Sequence, residues 1–137
     1  MKNVVAFCVS VSLSNFVFAE QILDITKIAG KNEQEVSVYL GLPISCGSSK
    51  YGKKCLYKKG ESEIIFINKK ADWITVEAID SIPLNENIVS VLGLKSEKPS
   101  FSSSNVLRWE SKQNLLEVSV FKGSSFCDYA YIKVKTK

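Results

Sequence analysis

The sequence predicts an α+β domain made of two related units, each a short helix followed by a three-stranded antiparallel meander. A capped helix pattern at residues 32–42, "NEQEVSVYLGL", returns as "NENIVSVLGL" at residues 85–94. After each helix come three segments rich in β-branched and aromatic residues. These strand segments are 53–59, 62–68 and 71–78 in the first unit, and 105–111, 115–121 and 128–135 in the second.

The two units, at about 25–80 and 81–137, are each too small to bury enough apolar surface alone. We therefore expect them to share one sheet or to pack edge to edge, with both helices on one face. Chance similarity between two amphipathic helices is the alternative to a repeat. The matched order of one helix and three strands favours the repeat.

The first helix has recognisable start and stop signals. Asn32 can cap it, and Glu35 stands where a capping box requires a glutamate. Gly41 supplies a left-handed C-terminal position, and Pro43 prevents the helix from continuing. Its apolar face is predicted at Val36, Tyr39 and Leu40.

Residues 1–19 predict a cleaved signal peptide. Lys2 gives a positive start, residues 4–13 are apolar but too few to span a bilayer, and Ala19 is the small residue before the expected cleavage site. A retained N-terminal anchor is the alternative. Cleavage leaves a periplasmic or secreted chain of one domain, residues 20–137. No later apolar run is long enough for a membrane helix, so no stable membrane insertion is expected.

Three cysteines remain after this cleavage, and in an oxidising compartment they favour a disulfide. Cys46 and Cys55 are the expected pair, because only a short flexible segment separates them. Cys127 is then expected to be a buried thiol. An intermolecular bridge and a Cys55–Cys127 pairing are the alternatives.

The helix and the strands after it resemble a unit shared by the β-lactamase inhibitor protein and the BamE-like (SmpA) envelope lipoproteins. In those families a Gly-polar-x-x-x-Val-x-x-x-Leu-Gly-x-Pro-like helix precedes an antiparallel sheet. The matching residues here are Gly30, Lys31, Val36, Leu40, Gly41 and Pro43. The resemblance implies a tandem α+β fold, a disulfide from the helix end to the sheet, and a sheet face that binds a protein.

The composition argues against several kinds of chemistry. The chain has no histidine, which excludes Ser-His-Asp and Cys-His nucleophile systems. It has no zinc-type cysteine spacing and no glycine-rich phosphate loop, so we expect neither enzymatic activity nor a cofactor. Asp72 and Asp128 are placed equivalently in the two units. An acid–base pair is one interpretation, and separate structural roles in turns are the favoured one.

Strand alternation predicts an aromatic sheet face. It puts Trp73, Tyr129 and Tyr131 on the face opposite the core, and Phe66 and Phe121 can extend that face from neighbouring strands. If helices cover only one side of the sheet, these rings can anchor a protein partner. If a second layer covers the sheet, they are ordinary core residues.

A lysine cluster lies in the first unit. Lys53, Lys54, Lys58 and Lys59 stand close together with no acidic residue between them. Nucleic acid is not the expected partner, because the cluster lacks arginine and the chain is predicted to be exported. A solvated strand edge is the favoured interpretation, and steering towards an acidic partner is the alternative.

These observations predict a small exported protein that binds another protein, with an inhibitor-like or immunity-like role. It is expected to be a monomer or a weak dimer. The alternatives are a structural accessory of the cell envelope and a small-ligand-binding module.

Overall fold

The computed structural model describes residues 20–135, which form one eight-stranded antiparallel sheet with the strand order β1-β2-β3-β4-β8-β7-β6-β5. The predicted signal peptide, residues 1–19, lies outside the described residues. The strands are β1 (Ser45–Ser48), β2 (Lys53–Tyr57), β3 (Ser62–Ile67), β4 (Lys70–Val76), β5 (Phe101–Ser102), β6 (Val106–Lys112), β7 (Leu115–Lys122) and β8 (Cys127–Val134).

Helices are few and short. The α-helix α1 spans Glu33–Leu40, and 3-10 helices span Ile25–Lys27, Lys59–Glu61 and Glu86–Leu92. Within residues 20–135, no helix combines the length and the apolar character needed to cross a membrane.

The predicted fold class of two helix-plus-three-stranded units is therefore wrong. The structure is mostly β, with about 41% of residues in strands and 18% in helices. The six predicted strand segments do form strands, but β1 and β5 add a further strand at each edge of the sheet. The second predicted helix is a 3-10 segment, Glu86–Leu92.

Two local features explain why the second helix differs from the first. The Asn85 side chain accepts from the N–H of Asn87, two residues on, and its third helical position is Ile88, which cannot complete a capping box. Its β-branched residues also lower α-helix propensity. The repeat of units at about 25–80 and 81–137 stays a prediction from sequence.

Helix α1 begins and ends as predicted. Asn32 accepts from the Glu35 N–H at 2.9 Å, and the Glu35 carboxylate accepts from the Asn32 N–H at 2.9 Å, which together make the capping box. Gly41, with a φ of +87°, ends the helix. Val36 and Leu40 are buried, so the helix packs its predicted apolar face on the core.

The core lies on one face of the sheet, which we call the covered face. Helix residues Val36, Ile25 and Leu92 pack in one hydrophobic cluster with strand residues such as Ile74 and Ile132. Trp109 belongs to this cluster and donates its indole N–H to the Glu97 carbonyl at 2.8 Å. Each large side chain that leaves water in this way stabilises the fold by roughly 1.5–3 kcal/mol.

The predicted disulfide joins Cys46 of β1 to Cys55 of β2, which lie directly opposite each other in the two strands. Cys127 is a free, buried cysteine, in agreement with the expected state. Burial raises the pKa of its thiol from 9.0 to about 11. Only about 0.1% of this thiol is ionised at pH 8, and the thiolate is the reactive form.

We expect Cys127 to resist iodoacetamide at pH 8 in the folded protein. Intact mass should show no added label before unfolding, one label in denaturant, and three after unfolding with a reductant. Labelling of the folded protein, or a covalent dimer, would contradict this assignment of the cysteines.

Candidate functional site

The side of the sheet opposite the core carries a row of aromatic rings, and we call it the open face. Residues opposite one another in neighbouring strands share a face. The register pairs Thr75 with Tyr131, Ser119 with Tyr131, and Phe121 with Tyr129. Within residues 20–135, the helices contribute their buried side chains to the cluster on the covered face. The rings of the open face are accordingly half-buried.

Five aromatic residues make up what we call the aromatic face. Trp73 is at its centre, with the Tyr51 ring centroid at 4.7 Å and the Tyr131 centroid at 6.0 Å. Phe121 and Tyr129 stack at 4.7 Å on the neighbouring strands β7 and β8. Such ring pairs stabilise each other by about 0.5–1.5 kcal/mol and hold the rings in fixed positions. The aromatic face is therefore preformed on a rigid sheet.

Tyr51 is the member of this group that the sequence analysis missed. It lies in the loop between β1 and β2, for which strand alternation makes no prediction. The loop is closed by hydrogen bonds around Ser49, whose N–H and hydroxyl both donate to the Gly52 carbonyl, at 2.8 and 2.6 Å. The Cys46–Cys55 disulfide lies at its base. A loop tied at both levels can present a ring in a fixed position.

Ion pairs cross the open face between neighbouring strands. The Arg108 guanidinium lies 2.9 Å from the Glu117 carboxylate, and it also donates to the Ser119 hydroxyl at 3.1 Å. Lys133 pairs with Asp72, which is only 3% exposed. Since these charges are matched locally, this part of the open face has no strong field of either sign.

The Tyr131 phenol stays neutral on this face. Burial raises its pKa above the ordinary value, and the nearby Glu117 and Asp72 carboxylates and the Tyr51 side chain add to the shift. A neutral phenol can both donate and accept a hydrogen bond at physiological pH.

The predicted aromatic residues are not all on this face. Trp73, Tyr129, Tyr131 and Phe121 lie on it, as the alternation indicates. Phe66 is 5% exposed and belongs to the core cluster on the covered face. The register pairs Ile65 with Trp73, so it is Ile65 that takes the place on the open face that was expected for Phe66.

The lysine cluster does not form one surface. Lys53 and Lys54 are adjacent in β2 and point to opposite faces. Lys53 pairs with Glu33 of α1 at 2.7 Å, whereas Lys54 lies 3.7 Å from Glu63. Lys59 lies over the Tyr39 ring, 4.1 Å from its centroid.

Lys58 stands next to Lys59 and is exposed. Only Lys54 of the four predicted lysines therefore belongs to the open face.

Asp72 and Asp128 are too far apart to act as a catalytic pair. Trp73, next to Asp72, pairs with Lys133, which is five positions from Asp128 along β8. At about 3.3 Å per residue, the two carboxylates are separated by roughly 15–20 Å. Asp72 is buried beside Lys133, whereas Asp128 is exposed. The structural roles favoured from the sequence agree with these positions.

One grouping among residues 20–135 has the density of ligand atoms that a metal ion requires, and it consists of Glu33, Cys46 and Cys55. Its two sulfur atoms are joined to each other in the disulfide. They are therefore not thiolates that could ligate a metal.

Comparison with known proteins gives a similarity of fold. No family model matches the chain, and no curated protein matches it. Among solved structures, it is similar to an extracellular protein containing a SCP domain from Bacillus anthracis str. Ames, with a TM-score of 0.51 and 11% sequence identity. The match covers 89% of this chain and 49% of the other, so this chain spans about half of that protein's length.

The resemblance to the β-lactamase inhibitor protein and the BamE-like lipoproteins is wrong. The structural match is to a different protein, and the eight-stranded sheet is not their helix-plus-meander unit. The shared motif is mainly the chemistry of helix ends: a capped start, an apolar pair at Val36 and Leu40, and a glycine stop. Those signals recur wherever a short helix precedes a sheet, so they do not distinguish one fold from another.

Proposed function

We propose that this chain is an exported, non-catalytic domain that binds another protein through its aromatic face. The observation that carries this proposal is the group of five half-buried or exposed rings, Tyr51, Trp73, Phe121, Tyr129 and Tyr131, held on the uncovered side of a sheet. Tryptophan and tyrosine are over-represented among the residues that dominate binding energy. They offer large contact areas and lose little conformational entropy on binding.

Two further observations support an extracellular or periplasmic location. The Cys46–Cys55 disulfide is the kind of bond that persists in oxidising compartments. The similar solved structure is described as an extracellular protein. An inhibitor-like or immunity-like role is no longer part of the proposal, because it depended on the resemblance that the fold overturned.

The proposal is tested by capturing partners from secreted and envelope fractions with the tagged full chain. The variant Trp73→Ala, Tyr131→Ala should retain at least about tenfold less of the partner, since truncating a central aromatic typically costs 1–2 kcal/mol or more of binding energy. A matched control is Val38→Ser, Leu42→Ser, which changes two apolar side chains, 84% and 86% exposed, in and after α1. Circular dichroism should show that both variants remain folded.

Equal recovery of the same protein by the wild type and both variants would contradict the proposal. Recovery of membrane-bound assemblies by all three proteins would instead favour the structural accessory of the cell envelope.

A further inference from the structure

A groove opens on the open face beside the aromatic face. It has a volume of about 320 Å³, at the lower end of the range for ligand-binding clefts. It lies between the β1–β2 loop and the strands β2, β3 and β4. Its lining residues are Ser49, Lys50, Tyr51, Lys54, Glu63, Ile65, Trp73 and Thr75.

Two rings form the apolar part of this groove. The Tyr51 and Trp73 rings are 4.7 Å apart at an interplanar angle of 43°, so they make a wedge rather than a parallel stack. The Tyr51 ring is kept there by the hydrogen-bonded turn at Ser49. A preformed wedge accepts a short aliphatic group without first reorganising, which reduces the entropy cost of binding.

One donor in the wedge has no acceptor. The Trp73 indole N–H is shielded from solvent and has no hydrogen-bond partner among residues 20–135. A buried polar group left unsatisfied costs about 1–3 kcal/mol. A ligand that brings an acceptor to this nitrogen recovers that energy.

The charge at the rim is positive. Lys50 and Lys54 supply two ammonium groups, and Glu63 is the one carboxylate in the lining. The Lys54–Glu63 contact is long, at 3.7 Å, and both side chains are substantially exposed. The Lys50 ammonium lies 5.5 Å from the Tyr51 ring centroid. The unmatched positive charge of the open face is therefore placed next to the unsatisfied donor.

We propose that this groove binds a glutamate side chain from an acidic segment of the protein partner. The glutamate methylene groups lie between the two rings, and its carboxylate accepts from the Trp73 indole N–H and pairs with Lys50 and Lys54. Charge-assisted hydrogen bonds of this kind are stronger than neutral ones. This inference rests on the proposed function and gives the chemistry of the partner.

The test is an NMR titration of the ¹⁵N-labelled full chain, which has two tryptophans and so two indole signals. The probe is the peptide Gly-Glu-Leu-Glu-Gly, acetylated and amidated at its ends, and Gly-Gln-Leu-Gln-Gly is its neutral counterpart. The acidic peptide should shift the Trp73 indole proton saturably and the neutral one should not. Trp109, whose indole N–H already donates to Glu97, is the internal control.

The same inference predicts how charge affects partner capture. Lys50→Gln, Lys54→Gln should weaken capture about tenfold, whereas Lys58→Gln, Lys59→Gln removes the same charge away from the groove and should leave capture unchanged. Equal shifts with both peptides, or equal loss with both lysine pairs, would overturn the glutamate assignment. A free peptide carboxylate that binds better than the capped acidic peptide would overturn it in favour of a C-terminus.

Failure of this inference is distinguishable from failure of the proposed function. If the acidic peptide does not shift Trp73 while capture still depends on Trp73 and Tyr131, the aromatic face binds the partner and the groove does not recognise glutamate. If capture is independent of both aromatics, the proposed function itself fails.

Discussion

Replacing Trp109 with alanine should lower the free energy of unfolding by about 3–5 kcal/mol, whereas Trp73→Ala should cost less than half as much. Trp109 is 2% exposed, packs in the core cluster and donates a hydrogen bond to Glu97. Its removal leaves a cavity and an unpaired carbonyl. Trp73 is only half-buried on the open face, and its indole N–H has no partner to lose.

Urea denaturation of both variants measures this difference. The substitution is chemically the same at the two sites, so the contrast reports on their surroundings alone. Trp109→Phe is a useful additional control, because it keeps most of the buried volume and should recover part of the loss. If Trp73→Ala proves as costly as Trp109→Ala, Trp73 is a structural residue, and the case for the aromatic face as a binding surface is lost.

Much of the local structure could be predicted because it depends on neighbouring residues. The capping box at Asn32 and Glu35 joins residues three positions apart, and the six strand segments carry their own alternation. The Cys46–Cys55 pairing follows from a short spacing. In each case the physical cause lies within one turn or one hairpin.

The fold class was wrong because the edge strands have no such signal. Strand β1 is exposed at all four positions, and β5 has two residues, both exposed. A strand that buries no side chain shows no hydrophobic alternation, so β1 and β5 were indistinguishable from loops. Without them the sequence suggested meanders of three strands rather than one continuous sheet.

The site was predicted in part, and the register between strands explains the limit. Alternation within β4 and β8 places Trp73 and Tyr131 correctly, because both strands face the same core. It cannot decide whether Ile65 or Phe66 is opposite Trp73, since that depends on pairing between separate strands. It also cannot bring a loop residue such as Tyr51 onto the sheet.

The disulfide should connect stability and binding in one measurement. Cys46–Cys55 closes a loop with a sequence separation of 9, which should stabilise the fold by about 2–3 kcal/mol in the chain-entropy model. Dithiothreitol should therefore lower the melting temperature of the wild type by roughly 10 °C. The variant Cys46→Ala, Cys55→Ala should melt at a reduced temperature that does not respond to the reductant.

Reduction should also weaken partner capture beyond what the loss of stability explains, because β1 is an edge strand held by β2 alone. Without the bond, the loop that carries Tyr51 gains freedom to leave Trp73. Capture should be compared well below the melting temperature, where both forms are folded. The Trp73 indole signal should then change on reduction while the Trp109 signal stays fixed. Equal capture by the oxidised and reduced chains would mean that the disulfide stabilises the fold without positioning Tyr51, and that the ring wedge contributes nothing to binding.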